Sequence, residues 1–252
     1  MNENKFTGLS ETYAKFRPKY PQAFIEYLYS DVGVKTDSII ADVGAGTGIL
    51  TKQLLESGNK VYAVEPNEDM RSIAETDLNV FDNYYSVKGT AENTTLDDSS
   101  VDFITVAQAF HWFDEMKFKK ECGRILKANG KVILVWNSRS LSSDVVKDSD
   151  AVTRKYCPNF EGFSGGMRGT EDHDTHYGNF YEGDYISKVF QNDITFDLEG
   201  FIGRSRSASY TLRENDENFD AYIKELTECF YRYAVDGKMV MPNETKSYVG
   251  VV

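Results

Sequence analysis

The sequence predicts an α/β fold built on a mostly parallel sheet of about seven strands with helices on both faces. Three observations predict it. Short apolar runs alternate with amphipathic stretches from residue 21 to residue 136, the rhythm of strand–helix units whose strands must run parallel. A glycine turn, Gly44-Ala45-Gly46-Thr47-Gly48, stands between the first apolar run and the stretch that follows it. The chain of 252 residues, 40% of them hydrophobic, suffices for one large domain or for a domain carrying a sizeable insertion.

The elements follow in order. Residues 21–31 read as a helix: Pro21 suits a first-turn position, and Phe24, Tyr27 and Leu28 share a face. A strand over 38–43 ends in the glycine turn, and a helix over 51–57 closes on Gly58 as a C-cap. A strand spans 60–64. Pro66-Asn67-Glu68-Asp69 then opens a helix with acids near its positive end. Strands are expected at 84–87 and 101–106. The stretch 114–127 is amphipathic, with Phe118, Cys122, Ile125 and Leu126 at helical offsets and Asn129-Gly130 ending it, so Cys122 reads as core. A fifth strand covers 131–136. The rhythm breaks after Asn137, and residues 140–190, polar and dotted with glycine and aromatic residues, read as an insertion or lid. A strand resumes at 193–198, a long helix covers about 218–233 with Phe219, Tyr222, Ile223, Leu226 and Phe230 on one stripe, and a last strand lies at about 245–251.

Composition narrows the function classes. A net charge of −12 repels phosphate backbones and anionic bilayers, so nucleic acid and membrane are not expected as partners. The three cysteines, Cys122, Cys157 and Cys229, are scattered without a C-x-x-C pair, which fits a reducing cytoplasmic setting and no structural zinc. His173 and His176 have metal-ligand spacing, but the flanking Gly169, Gly178 and Gly183 argue for a polar loop; no metal is expected.

The strongest chemical signal is Asp42-Val-Gly44-Ala45-Gly46-Thr47-Gly48. Gly44 permits a sharp turn out of the strand, Gly46 lets the backbone approach a ligand, and Gly48 allows tight helix packing. The amides at that helix start suit a carboxylate. Glu65, at the end of the second strand and followed by Pro66, is placed to accept hydrogen bonds from both hydroxyls of a ribose. The G-x-G-x-G spacing differs from the G-x-G-x-x-G of dinucleotide sites. Asp42 would repel a pyrophosphate yet can face the ammonium and sulfonium of S-adenosyl-L-methionine (SAM). SAM is therefore expected over NAD, and no Tyr-x-x-x-Lys pair stands where a dehydrogenase would need it.

At these residues the chain resembles the class I, Rossmann-like SAM-dependent methyltransferases over most of residues 38–137. The likeness extends to Gly89-Thr-Ala91-Glu92, to Leu96-Asp-Asp-Ser-Ser-Val-Asp102-Phe and to Ala107-Gln108-Ala-Phe-His111-Trp112-Phe. The resemblance implies that Ala91 and Glu92 lie beside the adenine, Met70 packs on its ring, and Ala107 and Gln108 line the methionine end. The N-terminal Tyr13-Ala-Lys-Phe-Arg17-Pro-Lys-Tyr20-Pro, with Phe-His-Trp, is similar to the small-molecule subgroup that includes trans-aconitate methyltransferase-like proteins. In that subgroup the equivalents of Tyr13 and Arg17 fold over the SAM pocket. Residues 140–190 match no pattern of the subgroup. The last strand would run antiparallel.

Methyl transfer from a sulfonium asks the protein mainly to align the nucleophile and exclude water. A carboxylate acceptor needs no general base; for a hydroxyl or amine, His111 is the candidate, with Trp112 shaping the pocket wall. Arg204 and Arg206, with Arg17, are candidates to receive a carboxylate-bearing substrate. The expectation is methyl transfer to a small molecule, with S-adenosyl-L-homocysteine (SAH) as product, by a monomer or homodimer. One domain is expected: an N-terminal lid over 1–29, a SAM-binding core over 30–138, a substrate cap over 139–240 and a final strand over 241–252. The alternative is a non-catalytic SAM-binding sensor or scaffold, which turnover to SAH would separate from an enzyme.

Overall fold

The structure is a computed structural model that describes residues 18–160, 162, 179–181, 183–208 and 210–252. A seven-stranded sheet forms its centre, in the order β3-β2-β1-β4-β5-β9-β6. The strands are β1 (Ile39–Val43), β2 (Lys60–Val64), β3 (Tyr84–Val87), β4 (Val101–Ala107), β5 (Leu126–Arg139), β6 (Ile186–Gln191) and β9 (Asn243–Gly250). β1 pairs in parallel with β2 and β4, β2 with β3, and β4 with β5. β9 runs antiparallel to both β5 and β6, as the resemblance implied. A separate two-stranded ribbon joins β7 (Ile194–Phe196) to β8 (Met239–Met241).

Alternation along the strands sends successive side chains to opposite faces, and each face has its own core. Ile40, Val61, Phe103, Ile133, Val135 and Val249 pack under α1 (Gln22–Tyr27), α2 (Ile49–Glu56) and α3 (Glu68–Leu78). Ala41, Val43, Ile104, Val106, Val132 and Leu134 face α4 (Glu115–Ile125), whose Phe118, Cys122 and Ile125 are buried. Burial pushes the Cys122 thiol well up, as fits a packing residue. A third apolar cluster joins α5 (Asp144–Tyr156), β7, α6 (Leu198–Arg206), α7 (Phe219–Tyr233) and β8 through Val146, Phe201, Tyr222, Leu226, Phe230 and Met239. Among the described residues no helix is long and apolar enough to cross a membrane.

Local chemistry sets the ends of these elements. Asn67 caps α3 by accepting from the Met70 amide, and Asp114 caps α4 by accepting from Lys117. Gly58, at φ +99°, follows the last turn of α2, where its amide reaches the Leu55 carbonyl. α1 passes into a wide π turn over Leu28–Val32 before Gly33, so the expected helix over 21–31 is two unlike pieces.

Several expectations need correction. β5 starts at Leu126, so Asn129-Gly130 lies inside a strand and does not end a helix. Lys127 binds the Asp102 carboxylate (3.0 Å), and the ladder shifts register between Val101 and Phe103. Residues 140–190 are not all cap: α5 is a regular helix, Phe180 and Tyr181 lie in the core with α4, and β6 is the seventh strand of the main sheet. The segment 193–198 supplies β7 of the ribbon instead. α5 escapes a hydrophobic-period reading because its buried stripe includes Ser149 and Thr153, whose hydroxyls bond back to the carbonyls of Val146 and Ser149. β6 escapes it because only Phe190 among its residues is buried.

One buried charge holds the loop before β4. The Glu121 carboxylate of α4 accepts from the Thr94 amide (2.8 Å) and hydroxyl (2.6 Å) and from Arg124. Burial pushes its carboxyl up, but Arg124 and Thr94 outweigh that and hold it below the usual range. Glu121→Ala leaves Thr94 and Arg124 without this partner and is expected to cost about 3 kcal/mol, read as a lowered urea midpoint. A depressed carboxyl stabilises the fold above its unfolded pKa and loses that contribution as pH falls through the folded one. The gap between wild type and variant should therefore shrink in acid.

Candidate cofactor site

β1 to β3 build outward on one side of the sheet, and the chain then crosses to β4 on the other side of β1. The carboxyl ends of β1 and β4 thus flank the point where the winding reverses, and an open α/β sheet has its crevice there. The glycine turn leaves β1 at this point. Gly44, Gly46 and Gly48 have φ of +71°, +57° and +80°. A Cβ on Gly44 would stand 2.6 Å from the Ala109 Cβ and 3.2 Å from the Phe113 ring, so this glycine lets the turn lie against the segment after β4. A Cβ on Gly48 would meet Leu78 of α3 at 2.6 Å, so Gly48 serves packing between α2 and α3 and not between helix and sheet. Among the described residues, only Gly46 of the three would place a Cβ with nothing within 4 Å, which leaves a cradle that a side chain would fill.

Glu65 follows the last residue of β2 beside this turn. Its Oε2 accepts from the Gly46 amide (2.8 Å) and its Oε1 from the Asn67 amide (2.9 Å). Each carboxylate oxygen therefore holds one backbone donor and keeps acceptor capacity for another. Burial raises the Glu65 carboxyl; the amides of Asn67 and Gly46 and the nearby Arg71 oppose this, and Asp42 adds to it.

Asp42 is not where the sequence reading put it. It is 1% exposed, and its two oxygens accept from the hydroxyls of Thr51 (2.6 Å) and Thr105 (2.8 Å). It braces β1, α2 and β4 against one another beneath the turn and does not face a ligand. The reason is orientation: Asp42 sits two residues before the turn with its side chain turned into the layer under α2. Burial raises its carboxyl, against the two threonine hydroxyls.

Of the remaining expected residues, Tyr13 and Arg17 lie outside the described residues, Arg204 and Arg206 lie on α6, and the others stand at or after the carboxyl ends of β1 to β4. Ala45 and Thr47 lie in the turn, and the Thr47 hydroxyl is buried without a hydrogen-bond partner among the described residues. Pro66 follows Glu65, and its carbonyl accepts from Arg71 (3.3 Å). Met70 is buried at the first turn of α3, outside the apolar clusters of the two sheet faces. Ala91 is buried in the loop after β3. Next to it, Glu92 accepts from the Asp114 amide (2.9 Å) through one oxygen, while the other is buried without a partner among the described residues. Ala107 ends β4. Gln108 takes a φ of +61°, rare for a residue with a Cβ, and its side-chain amide donates to the Asn137 carbonyl (3.0 Å). His111 and Trp112 are exposed on the short 3-10 turn Phe110–Trp112, their rings 4.6 Å apart. His173 and His176 lie outside the described residues as well. Among the described residues no group of acids, histidines or cysteines could hold a metal.

Arg204 and Arg206 are both carried by α6, in its last turn. Arg206 pairs with Glu214 (2.5 Å) and stands over the Phe219 ring (5.4 Å), so it is engaged on the surface of the third cluster. The sequence reading also missed Phe113, which packs where Gly44 has no side chain, and Arg71, which binds the carbonyls of Glu65 and Pro66. The signal for Arg71 was its place six residues after Glu65 on an amphipathic helix, legible only with the packing of α3 known.

The chain's residues 41–134 match the family model described as a methyltransferase domain. An uncharacterized methyltransferase of Mycobacterium tuberculosis is 39% identical over 127 residues, 50% of this chain and 49% of that protein. An uncharacterized methyltransferase of Bacillus licheniformis is 30% identical over 153 residues, 58% of this chain and 71% of that protein. The chain thus spans about half the length of the first curated relatives it matches. Among solved structures, a putative type II methyltransferase from Anaeromyxobacter dehalogenans superposes with a TM-score of 0.65 at 20% identity, over 94% of this chain and 98% of that one. This likeness is one of fold.

Proposed function

Because this chain belongs to the methyltransferase family and has its class I fold, we propose that it transfers the methyl group of SAM to a small-molecule acceptor and releases SAH. The observation that carries the reading is the Glu65 carboxylate, held by the amides of Gly46 and Asn67 at the sheet's switch point with capacity for two further donors. A ribose diol offers two such donors. The cradle at Gly46 and the polar atoms of Thr47 and Glu92 that have no partner among the described residues fit the rest of an adenosyl amino acid. When bound, SAM supplies an electrophilic methyl on a sulfonium.

The chain's own residues then bind and align. Glu65 takes the ribose, and Pro66, Met70, Ala91 and Glu92 border the adenine. The turn from Gly44 to Gly48 receives the amino-acid end, with Asp42 setting the turn's shape from beneath. Ala107 and Gln108 wall the methyl end, and the φ of Gln108 fixes where that wall stands. For an acceptor that must lose a proton, His111 is the base we propose. Residues 30–138 are then the cofactor core; the lid bearing Tyr13 and Arg17 is confined to the residues before Tyr20, because Tyr20, Phe24 and Tyr27 are buried against the sheet, and the acceptor cap to those parts of 139–240 outside β6 and the Phe180–Tyr181 core contact.

A carboxylate acceptor is supported by the likeness of Tyr13–Pro21 to the trans-aconitate methyltransferase-like group and by Arg17. It has lost support from Arg206, which Glu214 engages. We place the enzyme in the cytoplasm as a monomer or homodimer. Its free cysteines support the compartment, and its charge of −12 speaks against a nucleic-acid substrate.

Titration calorimetry with SAH, followed by SAM turnover in a metabolite extract, tests the proposal. We expect saturable binding and SAH production that depends on the extract. Binding without turnover would favour the sensor or scaffold reading; no binding of SAM or SAH would end the proposal. Since burial raises the Glu65 carboxyl, SAH affinity should fall in acid at a higher pH than an ordinary glutamate would give. That fall should be absent from Glu65→Gln.

A further inference from the structure

Arg71 belongs to none of the expected sites, yet its side chain is 12% exposed and its donors point at the backbone of the ribose-binding segment. One guanidinium nitrogen, Nη1, donates to the Glu65 carbonyl (3.0 Å) and to the Pro66 carbonyl (3.3 Å). Its Nε stands 3.5 Å from Glu75, whose carboxylate accepts from the Ser86 hydroxyl of β3. A long cation is thus held on both sides, by α3 and β3 and by the two carbonyls where β2 turns into the helix. Such anchoring is costly in side-chain freedom for a residue that only decorates a helix.

We propose that Arg71 is a positioning residue for Glu65, fixing the backbone from which the ribose-accepting carboxylate projects and supplying the positive charge beside it. The inference rests on the cofactor reading above. The Gly46 and Asn67 amides fix the carboxylate's two oxygens, and the Arg71 bonds fix the main chain behind it, so both ends of this short side chain are held. Two nearby charged groups act on the Glu65 carboxylate: Arg71 from α3 favours its ionisation, and Asp42 from β1 opposes it. Without Arg71 the balance passes to burial and to Asp42, and the carboxylate would carry a proton over a wider pH range.

Two measurements on the full chain test this. The first follows the Glu65 carboxyl of the ligand-free protein by carbon-13 NMR as pH is varied. The second measures SAH affinity across the same pH range by calorimetry. Arg71→Met should move the Glu65 midpoint upward and weaken SAH binding about tenfold at neutral pH, with the loss growing in acid. Arg71→Lys should restore the midpoint, because it keeps the charge, while recovering only part of the affinity, because it lacks the planar fork. A purely structural Arg71 would lower the unfolding temperature of Arg71→Met yet leave its Glu65 midpoint and its affinity profile at the wild-type position, and that result would overturn the proposal. Should Arg71→Met not fold, Arg71→Lys alone decides: a wild-type affinity in it contradicts the role of the fork. A wild-type protein that ignores SAH while the Glu65 midpoint still responds to Arg71 would remove the cofactor reading and leave the pairing standing.

Discussion

Replacing Glu65 with alanine is expected to weaken SAH binding by at least about 100-fold while leaving the sheet folded. Two hydrogen bonds to a charged acceptor contribute on the order of 1.5 kcal/mol each, and about 1.4 kcal/mol is a factor of ten. The loss should exceed that sum modestly, because the amides of Gly46 and Asn67 also lose their acceptor and the glycine turn loses its tether to β2. The isosteric Glu65→Gln should be nearly as damaging. A carboxamide has one acceptor oxygen, so its amino group would face either the Gly46 or the Asn67 amide, donor against donor. Stability should change far less than affinity, since Glu65 follows its strand and β2 keeps its pairings to β1 and β3. Calorimetry for affinity and urea unfolding for stability separate the two. An unchanged affinity in Glu65→Ala would mean that the acid serves only the turn, and the ribose assignment would fall.

Much of this was legible in the chain before folding, and the parts that were not have physical causes. The strands from β1 to β4 could be read because each is a short apolar run between turn residues, and the parallel half of the sheet repeats one unit. Glu65 and the glycines could be read because their spacing is dictated by a turn that brings the ends of two adjacent strands together. Asp42 was misread because sequence gives a residue's position along the strand but not the partners that draw it inward: Thr51 and Thr105 lie 9 and 63 residues away. α5 and β6 were hidden for opposite reasons, one burying threonine and serine, the other burying almost nothing. Arg206 looked available because its partner Glu214 is brought to it only by the chain's return before α7.

The glycine turn itself offers the sharpest separation of ligand contact from packing. Gly48→Ala is expected to destabilise the protein by about 2–4 kcal/mol. Its φ of +80° costs an L-residue roughly 1–2 kcal/mol. The new methyl would stand 2.6 Å from the Leu78 Cδ1 and 3.4 Å from the Ala74 Cβ, in a layer where Leu78 is 1% exposed, so its side chain must shift against packed neighbours. Gly46→Ala pays only the backbone part, since a Cβ there meets nothing within 4 Å among the described residues. That same space is where the proposed ligand passes, so Gly46→Ala should lose SAH affinity tenfold or more while costing only the roughly 1–2 kcal/mol of its backbone strain, less than Gly48→Ala. The folded fraction of Gly48→Ala should instead bind nearly as wild type, because Gly48 points to α3 and away from the crevice. The two substitutions thus predict opposite pairs of results one residue apart on either side of Thr47. If Gly46→Ala binds SAH like the wild type, the ligand does not run over this turn, and the open cradle at Gly46 is a solvent-facing bend and nothing more.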